Sequence, residues 1–161
     1  MTKREKVIYY AEQQTKNGST YIWSGQGQLL KNLTIADIEM MEQSSETAGK
    51  VFYHVGCEYF AGKLTKKSKA FDCSGLAIMA LIYAKVLKKG FDTTADGLMH
   101  KFPKPNTVKP GDLVFMTDQD GHAYHVGILK DLSTVIEAKG RTYGIVESPY
   151  NSKWTEVRTP Y

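Results

Sequence analysis

The chain has few cysteines and no long apolar run. Its 161 residues include two Cys, at positions 57 and 73. Neither is spaced with other Cys or His residues in the way that zinc ligands are. No apolar stretch approaches the roughly 18 residues that a bilayer-spanning helix needs. The sequence therefore predicts no metal site and no stable membrane insertion.

The N-terminus has a positive start but no apolar core behind it. An amphipathic helical pattern follows directly, so we expect no signal peptide in this chain. Export by another route, a phage or mobile-element origin, and a domain of a longer secreted protein all stay open. The net charge of +4 predicts a solvated basic surface, or contact with an anionic polymer such as cell wall or nucleic acid.

The length suits one domain with a single core. Helical patterns come first, at about 3–15, 34–43, 46–60, 73–88 and 94–100. Strand patterns follow, at about 112–117, 124–130, 133–138, 143–148 and 155–159. Helices followed by a meander of strands are typical of the α+β class.

A cysteine stands where a polar loop gives way to an almost wholly apolar helix. This residue is Cys73, in the run Phe-Asp-Cys-Ser-Gly-Leu. The free N–H groups of a helix start favour a thiolate, and a histidine from a separate strand can take the thiol proton. His125 heads such a strand, whereas His122 falls in a turn and is the weaker candidate. A disulfide to Cys57 would abolish this chemistry, so we predict Cys57 to be a buried apolar residue.

Five sequence blocks, in a fixed order, resemble the NlpC-type, papain-like cell-wall endopeptidases. The resemblance extends over residues 5–160, and the blocks are Tyr21–Gly25, Phe71–Leu76, Lys109–Phe115, His125–Ile128 and Val135–Gly140. It implies a papain-like α+β fold, with N-terminal helices followed by an antiparallel sheet of about five or six strands. It also implies a single catalytic domain over 1–161, with a helical insertion at about 28–70 beside the cleft. That insertion is either a packing embellishment or a wall that selects among substrates.

The resemblance assigns three catalytic residues. Cys73 would be the nucleophile and His125 its base. Glu137 would be the third residue, which accepts the second imidazole N–H and stabilises the imidazolium. A strand glutamate that faces solvent is the alternative for Glu137.

The family's motif also indicates residues that hold substrate or the oxyanion. The Tyr21 hydroxyl would stabilise the oxyanion or bind substrate, and Asp72 and Ser74 would hold the free amine of the stem peptide. A plain helix cap is the alternative for Asp72. Trp23 is predicted to pack rather than to contact substrate, and Ser24 replaces the family's more usual Gly.

The implied function is hydrolysis of amide bonds in peptidoglycan stem peptides through a thioester on Cys73, at the D-glutamyl to diamino acid bond. No cofactor and no nucleic acid partner are expected, and the protein would act as a monomer at the bacterial cell wall. Three rivals stay open: a CHAP-type wall amidase, a related thiol acyltransferase, and a non-catalytic wall-binding module.

Overall fold

Five α-helices occupy the segments in which the sequence predicts them. The computed structural model describes all 161 residues. Capping boxes start two of the helices, because Thr2 and Thr34 each accept from the backbone three residues on and receive the side chain at that position in return. The helices are α1 (Lys3–Lys16), α2 (Ile35–Glu42), α3 (Ser45–Phe60), α4 (Cys73–Tyr83) and α5 (Ala95–Lys101).

Two sheets form, of which the larger confirms the α+β class. Its five strands run antiparallel in the order β7-β6-β5-β4-β8. A three-stranded sheet, in the order β1-β3-β2, lies before α4 in sequence and was not predicted. The strands are β1 (Thr20–Tyr21), β2 (Gln26–Leu29), β3 (Lys69–Phe71), β4 (Leu113–Thr117), β5 (Ala123–Asp131), β6 (Thr134–Gly140), β7 (Gly144–Pro149) and β8 (Glu156–Arg158).

Helix α4 is the centre of the main core. It packs against both α1 and β5. Leu76, Ile78 and Leu81 are almost completely buried, as expected for a helix that is apolar nearly all round. No helix of the protein is both long enough and apolar enough to cross a membrane.

The prediction that α4 extends to residue 88 is wrong, because the helix ends at Tyr83. Lys85 adopts a left-handed conformation with φ 57°. The Val86 N–H then donates to the Leu81 carbonyl at 2.9 Å, a bond typical of helix C-terminal motifs. Leu87 turns back into the core and is 8% exposed, so burial rather than the later Lys-Lys-Gly run sets the end.

The segment predicted to be a helical insertion contains α2 and α3, which build a small core of their own with the three-stranded sheet. Its buried members are Ile22, Leu30, Ile38, Ala48, Val51 and Ala70. The prediction that Cys57 is buried is wrong: it is exposed, and both cysteines are free thiols. At about 100° per residue, Cys57 lies on α3 well away from the stripe that Ala48 and Val51 bury.

The block before β4 is anchored to the first helix. Asp112 is fully buried and accepts from the Arg4 guanidinium at 2.7 Å and from the Lys109 backbone N–H at 2.8 Å. A buried carboxylate needs such partners, because desolvation of an unpaired charge is costly. This ion pair ties the start of the sheet to α1.

Candidate active site

Cys73 is the first residue of α4, and Asp72 caps that helix. The Asp72 carboxylate accepts from the Gly75 N–H at 2.7 Å and from the Ser74 hydroxyl at 3.2 Å. Its other oxygen accepts from the Ser24 N–H at 3.1 Å. Asp72 therefore performs the capping role, and it also ties the loop after β1 to the helix start. Burial raises the pKa of Asp72, although these hydrogen bonds oppose that shift.

Two glycines let this loop lie directly on the helix. A Cβ at Gly75 would stand 1.9 Å from the Gly25 carbonyl oxygen, and one at Gly25 would stand 2.7 Å from the Phe71 nitrogen. The Asp72 N–H donates to the same Gly25 carbonyl at 3.0 Å. Ser24 has φ 62°, a conformation that favours glycine. This positive φ explains why glycine would suit position 24, and it places backbone strain in the loop beside Cys73.

His125 on β5 and Glu137 on β6 form a short hydrogen-bonded pair. The His125 Nε2 and Glu137 Oε2 atoms are 2.5 Å apart, and the Glu137 side chain is 4% exposed. The alternative of a solvent-facing glutamate is therefore wrong. Trp154 packs against the imidazole, with ring centroids 5.6 Å apart. Because Nε2 is engaged by Glu137, Nδ1 is the ring nitrogen left for Cys73.

The neighbours of His125 stabilise its charged form. Burial alone would lower the pKa of His125, but hydrogen bonds to Cys73 and Glu137 outweigh burial and raise the pKa from 6.5 to about 9. For Glu137, burial would raise the pKa, but the bonds to His125 and Ser148 lower it overall. The arrangement therefore holds an imidazolium between a sulfur and a carboxylate.

A cleft of about 560 Å³ opens over Cys73 and His125. Tyr21, Asp72 and Ser74 line it, so all three predicted binding residues reach the site. Burial, with the charges of Cys73 and Asp72, raises the pKa of Tyr21 to about 12, and its hydroxyl is a proton donor at neutral pH.

Two further residues near the cleft test the sequence predictions. Trp23 is 51% exposed and lines the cleft, which contradicts the prediction that its side chain is used for packing. His122 is exposed in the turn before β5 and does not line the cleft. This agrees with the prediction that it is the weaker candidate for the base.

A buried carboxylate and a half-exposed guanidinium form an ion pair at the cleft wall that the sequence did not predict. Glu42, the last residue of α2, accepts from the Arg141 guanidinium and, at 3.1 Å, from the Trp23 backbone N–H. Arg141 lies in the turn between β6 and β7 and lines the cleft. No local signal links these two residues, because 99 positions separate them. No group of three or more His, Cys, Asp or Glu side chains could hold a metal ion.

Comparison with known proteins identifies the family of this chain. A family model described as the NlpC/P60 family matches residues 56–159. The chain belongs to this family. The matched residues include Cys73, His125 and Glu137, but not the Tyr21 block or α2. A search of curated protein sequences gives no match.

Several solved structures share the fold. NlpC2 from Trichomonas vaginalis superposes with a TM-score of 0.61 at 19% identity, over 98% of this chain and 46% of its own. The peptidoglycan hydrolase RipB from Mycobacterium tuberculosis gives 0.57 at 19% identity, over 98% of this chain and 66% of its own. RipD from the same organism, a non-catalytic NlpC/p60 domain protein adapted to peptidoglycan binding, gives 0.57 at 17% identity, over 99% and 98%. The chain thus spans less than half of NlpC2, and these likenesses show the fold alone.

Proposed function

We propose that the protein is a cysteine endopeptidase that hydrolyses amide bonds in the stem peptides of bacterial peptidoglycan. Membership of the NlpC/P60 family indicates a role on the cell wall, as a hydrolase or as a binding domain. One observation supports the role of a hydrolase over that of a binding domain. Cys73 starts a helix in an open cleft and faces His125, whose other ring nitrogen is held by Glu137 at 2.5 Å.

The chemistry follows from this geometry. The Cys73 thiolate attacks the D-glutamyl γ-carbonyl carbon, while the Cys73 backbone N–H at the helix start and the Tyr21 hydroxyl stabilise the oxyanion. The C–N bond breaks, and the imidazolium of His125 gives its proton to the leaving amine of the diamino acid. Water then attacks the thioester, His125 takes its proton, and the carboxylate product leaves as the thiolate is restored.

Glu137 keeps His125 in position through this cycle. The carboxylate accepts from Nε2, which fixes the ring so that Nδ1 faces Cys73, and it stabilises the imidazolium. Asp72 and Ser74, at the start of α4, would hold the free amine of the stem peptide. The Asp72 carboxylate has capacity for that role, because its Oδ2 atom accepts one bond, from the Ser24 N–H, and a carboxylate oxygen can accept two.

A non-catalytic module is the main rival, since RipD has the same fold without catalysis. A CHAP-type amidase or a thiol acyltransferase would use the same pair of residues on another bond or acceptor. The test is digestion of purified peptidoglycan and of a synthetic L-Ala–γ-D-Glu–diamino acid–D-Ala peptide, followed by mass spectrometry. We expect a new N-terminal diamino acid in both digests. Muramic acid with a free lactyl group would indicate an amidase. Transfer to an added amine would indicate an acyltransferase. Peptidoglycan and synthetic peptide that both stay unchanged would indicate a binding module.

The activity should fall as the pH rises through about 9. His125 has its pKa raised above 6.5 by Cys73 and Glu137, so the imidazolium that protonates the leaving amine is present below that range and lost above it. Glu137→Gln removes one of the charges that raise this pKa, and the alkaline limb should move to lower pH. The measurement is kcat/KM against pH for both proteins. An alkaline limb that does not move would contradict the role given to Glu137.

A further inference from the structure

The ion pair between Glu42 and Arg141 is costly in its position. The Glu42 side chain is fully buried and stands at the C-terminal end of α2, where the helix dipole disfavours a negative charge. Desolvation of the buried carboxylate offsets much of its attraction to Arg141, so the pair adds little net stability. The pair is therefore better explained by what it positions than by stability.

What it positions is a guanidinium on the wall of the cleft. The Nε and Nη2 groups of Arg141 donate to Glu42, and the guanidinium lies 5.7 Å from the centre of the Tyr21 ring. The Arg141 side chain is still 45% exposed. A guanidinium has five N–H donors in a rigid plane, so Nη1 and half of Nη2 stay available to a ligand. Because Arg141 is held from two sides, it loses little freedom when it binds.

We infer that Arg141, held by Glu42, is the subsite for a carboxylate on the substrate. This inference rests on the proposed function. When D-glutamate is linked through its γ-carboxyl, its α-carboxylate is left outside the peptide chain, in the half of the substrate that Cys73 retains. Arg141 and Tyr21 lie on one wall of the same cleft as Cys73, and planar guanidinium groups bind carboxylates through paired hydrogen bonds. Peptides whose α-carboxyl is free are therefore the preferred substrates, and peptides in which it is amidated are poor ones.

This assigns a function to the helical insertion. Helix α2 ends at Glu42, whose carboxylate joins the loop after β1 to the turn between β6 and β7. The insertion therefore sets the position of the carboxylate-binding group without lining the cleft itself.

The test compares two synthetic stem peptides that differ only in having an α-carboxylate or an α-amide on D-glutamate. Wild-type enzyme should favour the carboxylate peptide in kcat/KM by about tenfold or more, the usual effect of a hydrogen bond to a charged group. Arg141→Gln should bring the ratio close to one, as should the double variant Glu42→Gln/Arg141→Gln, which leaves no unpaired buried charge. Lys66→Gln, an exposed lysine outside the cleft, is the charge-matched control and should keep the wild-type ratio.

A wild-type ratio near one, or an equal loss on both peptides in the variants, would overturn the inference. Calorimetric binding of the two peptides to proteins that also carry Cys73→Ala separates this outcome from a failure of the proposed function. If the wild type cleaves neither peptide, the proposed function fails. In that case tighter binding of the carboxylate peptide, lost with Arg141→Gln, still supports the subsite, and equal binding of both peptides rejects it.

Discussion

Cys73→Ala is expected to abolish the release of stem-peptide fragments, with kcat falling by at least about 10⁴-fold, because no other group in the cleft can form the thioester. The cleft contains no second cysteine, and its one lysine, Lys139, stands on β6 rather than at the start of α4. The fold should be unaffected, since Cys73 is only partly buried and alanine is a good helix residue. The measurement is the rate of appearance of the new N-terminal diamino acid.

Cys57→Ala is the matched control for this experiment. Cys57 is the only other cysteine, it is exposed on α3, and it does not line the cleft. We expect its variant to keep the wild-type rate within about twofold, as for most surface substitutions. Equal rates for wild type and Cys73→Ala would refute the catalytic proposal, and loss of activity with Cys57→Ala would show that the wrong thiol has been assigned.

Gly75→Ala is expected to have the largest effect on stability. Its Cβ, whose position the helix backbone fixes, would stand 1.9 Å from the Gly25 carbonyl oxygen. That oxygen is a backbone atom, so neither group can rotate away. Forcing the loop off the helix start should cost about 3 kcal/mol, which lowers Tm by about 6–12 °C in a chain of this size. It should also reduce activity, because Trp23 and Ser24 of the same loop line the cleft. Thermal unfolding followed by circular dichroism gives the measurement.

Gly56→Ala is expected to have the opposite effect and to stabilise the protein. Gly56 is inside α3, and a Cβ there would meet nothing within 4 Å. Alanine should therefore raise the unfolding free energy by about 0.5–1 kcal/mol, through the reduced entropy of the unfolded chain. If both substitutions shifted Tm equally, the close approach of Gly25 and Gly75 would not be the cause.

Local chemistry explains what could be predicted. The start of α4 was readable because a polar loop meets an apolar helix there, and the start of α2 because Thr34 is followed by Asp37 at the capping-box position. The strands of the large sheet were readable from their alternating and apolar runs. Cys73 and His125 stood out because their residue types, at a helix start and a strand head, fit thiol chemistry.

Contacts between distant segments explain what could not be predicted. The end of α4 depends on where Leu87 is buried. The three-stranded sheet joins β1 and β2 to β3, which lies about 40–50 residues further on. Cys57 looked apolar in sequence, but α3 buries only a narrow stripe. Glu42 and Arg141 meet only after the insertion and the sheet have folded together, so neither residue carries a sign of its role.

The most direct test of catalysis by Cys73 is to trap the covalent intermediate. An activated ester of L-Ala–γ-D-Glu acylates a thiol enzyme rapidly, and acid quenching preserves the thioester for mass spectrometry of the intact protein. We expect the wild type and Cys57→Ala to gain the mass of one L-Ala–γ-D-Glu acyl group, located on the peptide that contains Cys73, and Cys73→Ala to gain none. Turnover of the ester with no acyl group on Cys73, or an equal gain of mass in Cys73→Ala, would contradict the assignment of Cys73 as the nucleophile.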